Sequence, residues 1–468
     1  MALSRIWSAF IIIAILVACS KVFFTSNNRS LFTTMVTGQS GDTIHVKNID
    51  TSLVSAALMS EVHSNQKYDD TKNNYVIKES KLSEYTIQKA DGIIETTQTA
   101  VTLSLRLVGF MALFMGFMSI AERAGGIRFL SRIIGPFFSK IFPDIPKNHP
   151  SMGHMVMNFS ANLLGLDNAA TPFGIKAMES LQEINPNKNT ASNPQIMFLC
   201  LHASGLTLIP VSIIALRAAA GATNPMDIFL PCMIATFAAT MAAMFIVSIK
   251  QKINIFQPVI LGWILGISAI ISLLVVYIKS LNTEDVQIVS GSISSGLILL
   301  IFILIVLAAI YKKVDVFSSF IDGAKGGFET AVKIIPYLVG MLVAISLLRT
   351  SGSFDVVING VKNIVAYMGS DTRWIDGIPT ALIKPFSGGG ARGMMVDTMK
   401  TFGPDSFAGT LSCILQGSSD TTFYVIAVYF GAVSVNNTRY TVAAMLLADL
   451  VGVITSILLA YLFFGSAV

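Results

Sequence analysis

The chain has 468 residues, with 32 Lys and Arg against 27 Asp and Glu, a net charge of +5, and 53% hydrophobic but only 13% charged residues. With a mean hydropathy of +0.68, this composition excludes a soluble globule and predicts an all-α polytopic membrane protein. The small excess of cations sits at the ends of apolar runs, so it reports orientation in a bilayer and excludes nucleic acid as a partner.

A hydrocarbon core of about 30 Å needs about 20 apolar residues per helix. About nine transmembrane helices are therefore expected, near 7–24, 96–120, 195–220, 226–250, 253–279, 289–311, 328–348, 407–434 and 440–464. Residues 1–24 read as an N-terminal transmembrane anchor. Its LVAC (16–19) imitates a lipoprotein signal, but eight further spans favour an uncleaved helix. Residues 25–94 are polar, rich in Asn, Ser and Thr and weakly periodic, and read as an extracytoplasmic loop. Arg5, Arg123, Arg128, Arg132, Lys140, Lys147, Lys250, Lys252, Lys312 and Lys313 fall on one side if the N-terminus is cytoplasmic, which leaves the C-terminus extracytoplasmic. The expected location is a bacterial cytoplasmic (inner) membrane.

Residues 95–252 and 297–468 read as two divergent copies of one unit, joined by a linker helix and loop at 253–296. In the first copy TAVTLSLRLVGFMA precedes FMSIAERAGG (117–126); in the second TAVKIIPYLVGMLV precedes AISLLRTSGS (344–353). A shift of 227 positions lays Arg106 over Lys333 and Gly125 over Gly352. Further on, LHASGLTLIPVS (201–212) lies over LQGSSDTTFYVI (415–426), so that Ser204 matches Ser418 and Thr207 matches Thr421. Five crossings separate the spans that open the copies, and an odd number makes the pair an inverted repeat.

Each copy also carries a short Gly-rich or Asn-rich apolar segment, within 153–180 and 377–400. Irregular chain survives at membrane depth only inside protein or beside a water-filled cavity. Both segments therefore fit re-entrant hairpins whose tips present Asn162, Asp167, Asn168 and Thr171 in one copy and Ser387, Gly388, Gly389, Gly390 and Arg392 in the other. The alternative is a surface loop between helices. Polar runs inside the spans at 202–207 and 416–422 predict unwound turns beside a cavity, exposing Ser204 and Thr207 in the first copy and Gln416, Ser418, Ser419, Asp420 and Thr422 in the second. Ser and Thr also serve as plain helix-packing residues in membranes.

Ionisable residues within spans are functional candidates. Arg106, Lys333, His202 and Asp449 are candidates for charge pairing, for holding an anionic substrate, or for coupling to a proton or sodium ion. Cys19, Cys200, Cys232 and Cys413 stand singly, so neither a metal site nor a disulfide framework is expected. No phosphate-binding loop, HExxH or GxSxG motif is present. The chain is accordingly expected to be no enzyme, to use no cofactor, and to have as partners the lipid bilayer, a small-molecule solute and possible further copies of itself.

FPDIPKNHPSMGHMVMNFSANLLGLDNAATPFGIKAME (142–179) with LIPVSIIALRAAAGATNPMDI (208–228) resembles spore maturation protein A. YKKVDVFSSFIDGAKGGFETAVKIIPYLVGMLVAI (311–345), GPDSFAGTLSCILQGSSDTTFYVIAVYFGAV (403–433) and LLADLVGV (446–453) resemble spore maturation protein B. Together they identify a fusion of two members of the nucleoside-recognition, or Gate, domain family, whose domain also occurs in nucleoside and ferrous-iron transporters. The resemblance implies a nucleoside-like solute. The expected function is secondary transport of a small polar solute, nucleoside-like or anionic, by alternating access; the alternative is a non-transporting scaffold or regulatory protein acting with a partner.

Overall fold

A computed structural model describes residues 2–24, 30–48, 67–69, 74–78, 81–90, 92–164, 167–207, 209–281 and 283–465. It forms two compact units: residues 1–3, 100–341 and 360–468 in one, 4–99 and 342–359 in the other.

The smaller unit contains α1 (Ala2–Phe24), α2 (Leu31–Thr37) and a four-stranded antiparallel sheet in the order β1-β4-β3-β2, built from Gln39–Asn48, Lys67–Asp69, Asn74–Lys78 and Lys81–Ala90. Strands are not expected from the weak periodicity of 25–94. Its register sets Ile44 opposite Ile87 and Val46 opposite Tyr85. Ala14, Ala18, Met35, Leu347 and Leu348 form the apolar core of this unit. There Lys21 donates to the Ser351 carbonyl at 2.6 Å.

The helical elements of the two copies follow one order. The first has α3 (Ile93–Arg123), α4 (Gly126–Ile141), α5 (Pro150–Leu163), α6 (Asp167–Glu183), α7 (Asn193–Ala203), α8 (Val211–Ala219) and α9 (Phe229–Gln251). After α10 (Pro258–Lys279) and α11 (Thr283–Tyr311), the second has α12 (Val316–Thr350), α13 (Ser353–Tyr367), α14 (Pro379–Ile383), α15 (Gly388–Phe402), α16 (Phe407–Gly417), α17 (Thr422–Ala432) and α18 (Thr441–Phe464). The matched glycines play the same part in both copies. Gly125 (φ 85°) and Gly352 (φ 74°) sit at the turns that end α3 and α12, in a left-handed region that glycine enters without steric cost. Asp315 precedes α12 and accepts from the Ser318 amide and hydroxyl at 3.0 and 2.7 Å. Those bonds hold its carboxyl below the usual carboxylate range.

Among the described residues seven helices are long and apolar enough to cross a bilayer: Trp7–Phe24, Ile93–Arg123, Phe229–Gln251, Pro258–Ile278, Gly291–Tyr311, Val316–Thr350 and Thr441–Phe464. The other two expected spans, 195–220 and 407–434, are each split into two short helices. The segments 153–180 and 377–400, expected to be irregular, hold paired helices instead, α5 and α6 in the first and α14 and α15 in the second. Helix α4 is amphipathic: Ile127, Ile134, Phe138 and Ile141 form its buried stripe, leaving Arg128, Arg132 and Lys140 on its other faces.

Candidate functional site

Both split helices arise from the same local chemistry. Helix α7 opens on a capping box, with the Gln195 amide donating to Ser192 Oγ and the Ser192 amide donating to Gln195 Oε1. Helix α16 opens on Ser406, whose Oγ accepts from the Gly409 amide at 3.0 Å. Each helix runs for 11 residues and stops at a serine whose hydroxyl turns back on its last turn. Ser204 Oγ donates to the Leu201 carbonyl at 2.7 Å, and Ser418 Oγ to that of Leu415 at 2.9 Å. Ser192 and Ser406 are separated by the same 214 positions as Ser204 and Ser418.

The first interruption, 204–210, is the longer one. Gly205 takes φ 63°, and Pro210 has no amide to continue a ladder. The second spans 418–421 and interlocks with the first: the Asp420 amide donates to the Ala203 carbonyl at 2.7 Å. A Cβ on Gly205 would lie 3.2 Å from the Asp420 nitrogen. The turn between α14 and α15 joins them, with the Phe423 amide donating to the Pro385 carbonyl at 2.9 Å.

These pieces line an open cavity of about 270 Å³. Its polar wall includes Asn162 from the first helix pair, Thr207 from the first interruption, Lys384 and Arg392 from the second helix pair, and Gln416 and Asp420 at the second interruption. Ser419, Thr421, Gly388 and Thr330 also line it, as do Met111 and Met115. Lys384 is 4% exposed and donates to the carbonyls of Leu415, at 3.0 Å, and Gln416. Its ammonium therefore caps the negative end of α16. Gln416 Oε1 and Arg392 Nε are buried without a hydrogen-bond partner.

Other expected site residues stand behind this wall. Ser204 Oγ reaches Thr240 Oγ1 at 2.9 Å, and Thr422 Oγ1 donates to Asp449 Oδ2 at 2.5 Å. Ser387 caps α15, accepting from the Gly390 amide at 2.9 Å. His202 Nδ1 lies 2.8 Å from the Asn162 amide nitrogen and 3.1 Å from the Asn158 amide oxygen, and its ring packs edge-on to Tyr429. Gly389 and Thr171 do not line the cavity. Arg106 does not line it and donates to the Ala219 carbonyl at 3.4 Å. The side chains of Asp167, Asn168 and Lys333 lie outside the described residues. Sequence reading missed Lys384 as a wall residue, although a lysine between the apolar ALI and PF of ALIKPF carries the signal of an ionisable group in an apolar setting.

The copies are also clasped at both ends of the split helices. Arg217, near the end of α8, has a fully buried side chain that donates to the Pro404 carbonyl at 2.6 Å and pairs with Asp227 at 3.0 Å and Asp405 at 3.2 Å. Asp405 in turn accepts from the Thr223 amide and hydroxyl at 2.9 and 2.7 Å. At the opposite ends the Ala191 amide donates to the Asn437 carbonyl at 2.9 Å, the Asn436 amide to the Asn189 carbonyl at 3.1 Å, and Arg439 to Asn193 Oδ1 at 2.9 Å. The start of α7 thus meets the chain just after α17, and the chain just before α16 meets the end of α8.

The sequence pattern of a family described as nucleoside recognition (Gate) matches residues 104–317 and 331–436. Spore maturation protein B of Bacillus subtilis (strain 168) is 45% identical over 175 residues, covering 37% of this chain and 97% of that protein. Spore maturation protein A of the same organism is 42% identical over 156 residues, covering 33% of this chain and 80% of that protein. No solved structure matches.

Proposed function

Because this multi-pass membrane chain belongs to the nucleoside-recognition (Gate) family, we propose that it is a secondary transporter of the bacterial inner membrane that moves a small polar solute by alternating access. One observation carries the reading. Both split helices and both helix pairs contribute to one cavity, the position at which transporters built from repeats and discontinuous helices hold their solute. The family description makes a nucleoside-like solute one class to test.

The two clasps support an inverted arrangement of the copies, since each split helix begins where the other ends. On this reading the helix pairs α5–α6 and α14–α15 are the re-entrant hairpins, and the N-terminus is cytoplasmic. His202 and Asp449 are the groups to examine for ion coupling, because each touches a residue at or next to the cavity wall. The reading assigns no catalytic step.

A thermal-unfolding screen of the purified protein against nucleosides, nucleobases, dicarboxylates and amino acids tests it. A stabilising solute whose effect is lost in Gln416→Ala is expected, because Gln416 Oε1 is an acceptor awaiting a donor. No stabilisation at millimolar concentration would overturn the transport reading in favour of a scaffold.

A further inference from the structure

Helix α4 follows Gly125 as α13 follows Gly352, and both are short amphipathic helices. Their charges differ. Helix α13 holds one acid, Asp355, and one lysine, Lys362, which pairs with Asp376 at 2.8 Å. Helix α4 holds Arg128, Arg132 and Lys140 and no acid, and Lys147 follows it. These four cations are exposed, and among the described residues none has a hydrogen-bond or ion-pair partner.

The surrounding elements do not balance this charge. Helices α5 and α10 pack against α4, and neither contains an acidic residue. Over residues 122–150 five cations stand against Glu122 and Asp144. Asp144 accepts from Asn193 Nδ2 at 3.3 Å, and Asp322 of α12 is taken by Arg123 at 2.8 Å.

Three edges of α4 meet three media. Ile127, Ile134, Phe138 and Ile141 are buried in protein, with the Phe138 ring 5.1 Å from that of Phe159 in α5. Arg128 and Arg132, one turn apart, form a basic edge. Phe129 and Ile133, also one turn apart, form an apolar edge beside it and are 63% and 41% exposed. An apolar edge next to a basic one suits the boundary between acyl chains and headgroups. The neighbouring span agrees with that depth. Phe137 packs 6.1 Å from Trp263, in the second turn of α10, whose Leu265, Ile270 and Leu273 are exposed. Indole rings settle at headgroup level.

We propose that α4 is a docking surface for anionic phospholipid, with Phe129 and Ile133 among the acyl chains and Arg128, Arg132 and Lys140 on the headgroup phosphates. Guanidinium groups grip phosphate through paired N–H donors, and a headgroup with net negative charge supplies what the protein around α4 does not. Ser131 Oγ meets Ser160 Oγ of α5 at 3.2 Å, and α5 carries Asn162 to the cavity wall. The lipid therefore steadies the helix pair behind the cavity, whatever the cavity carries.

Thermal unfolding of the detergent-purified full chain at fixed ionic strength tests the assignment, with phosphatidylglycerol, phosphatidylcholine and inorganic pyrophosphate as probes. Phosphatidylglycerol is expected to raise the unfolding midpoint and phosphatidylcholine is not. The rise is expected to vanish in the Arg128→Gln, Arg132→Gln double variant. It is expected to persist in Lys312→Gln, Lys313→Gln, which removes exposed cations just after α11. Without lipid the α4 variant is expected to unfold at the wild-type midpoint, because neither arginine has a partner to lose. Native mass spectrometry, counting phosphatidylglycerol retained per chain, makes the same comparison for a variant whose midpoint has moved. Silence from phosphatidylglycerol, an equal rise with phosphatidylcholine, or a rise reproduced by pyrophosphate each overturns the assignment. So does a lipid response that survives the α4 variant or is lost equally in the Lys312, Lys313 variant.

Discussion

In the first interruption the groups freed by breaking the helix are consumed locally: Ser204 reaches Leu201 and Thr240, Thr207 Oγ1 donates to the Gly205 carbonyl, and the Gly205 amide donates to the His202 carbonyl. In the second, Ser418 is satisfied in the same way, but Gln416 Oε1 stays unpaired and a lysine from a different helix pair caps the carbonyls of Leu415 and Gln416. Two copies of one plan have thus diverged in how they dispose of polar groups. The first copy supplies a closed wall and the second an open one, and open hydrogen-bonding groups in a low-dielectric setting persist where a solute can satisfy them.

The sharpest way to break this comparison lies outside the cavity, at the clasps. Arg217 is fully buried between two carboxylates, whereas Arg439 is exposed, contacts a carbonyl and an amide, and lies over the Tyr440 ring at 5.3 Å. Arg217→Met leaves Asp227 and Asp405 without their partner and is expected to cost about 3–5 kcal/mol, the range for breaking a buried ion pair. Arg439→Met is expected to cost under about 1 kcal/mol, as an exposed cation does. Unfolding midpoints of the purified variants compare the two, and equal losses would show that the clasps are energetically alike.

A smaller effect is expected where the interruptions touch. Gly205→Ala forces a left-handed residue and places a Cβ 3.2 Å from the Asp420 nitrogen. The expected cost is about 2 kcal/mol, of which backbone strain alone supplies about 1. The second interruption contains no positive-φ residue, so Ser419→Ala, which removes the hydrogen bond from its hydroxyl to the Asp449 carboxylate, is expected to cost about 1 kcal/mol. A Gly205→Ala variant as stable as wild type would mean that the two interruptions do not pack as tightly as their backbones indicate.

Much of this architecture was legible in sequence because each copy checks the other. A constant offset matched Gly125 with Gly352, and both prove to be left-handed turns that end long helices. Another matched Ser204 with Ser418, which make the same backward hydrogen bond. The sheet at 39–90 was missed because its alternating apolar positions, such as Ile44 with Val46, are short and diluted by lysines, serines and threonines. The role of Lys384 was hidden because its partners are carbonyls 31 and 32 positions away, and main-chain acceptors leave no residue signature. The Arg217 clasp joins positions 187 and 188 apart across the two copies, a pairing no local pattern encodes.

The finest comparison sets the two matched serines against each other. Both return a hydroxyl to the carbonyl three residues back, but Ser204 adds a bond to Thr240, which itself donates to the Thr236 carbonyl at 2.8 Å. Ser418→Ala removes one bond whose carbonyl, that of Leu415, keeps Lys384 as a donor, so the expected loss is about 0.5 kcal/mol. Ser204→Ala takes away two bonds and leaves the Thr240 oxygen short of a donor in a buried site, so the expected loss is about 1–2 kcal/mol. The double variant is expected to lose their sum, because no bond joins the two hydroxyls. An interaction energy well above about 0.5 kcal/mol in that cycle would mean that the interlocked interruptions act as one unit, with the Asp420 amide on the Ala203 carbonyl as their shared hinge.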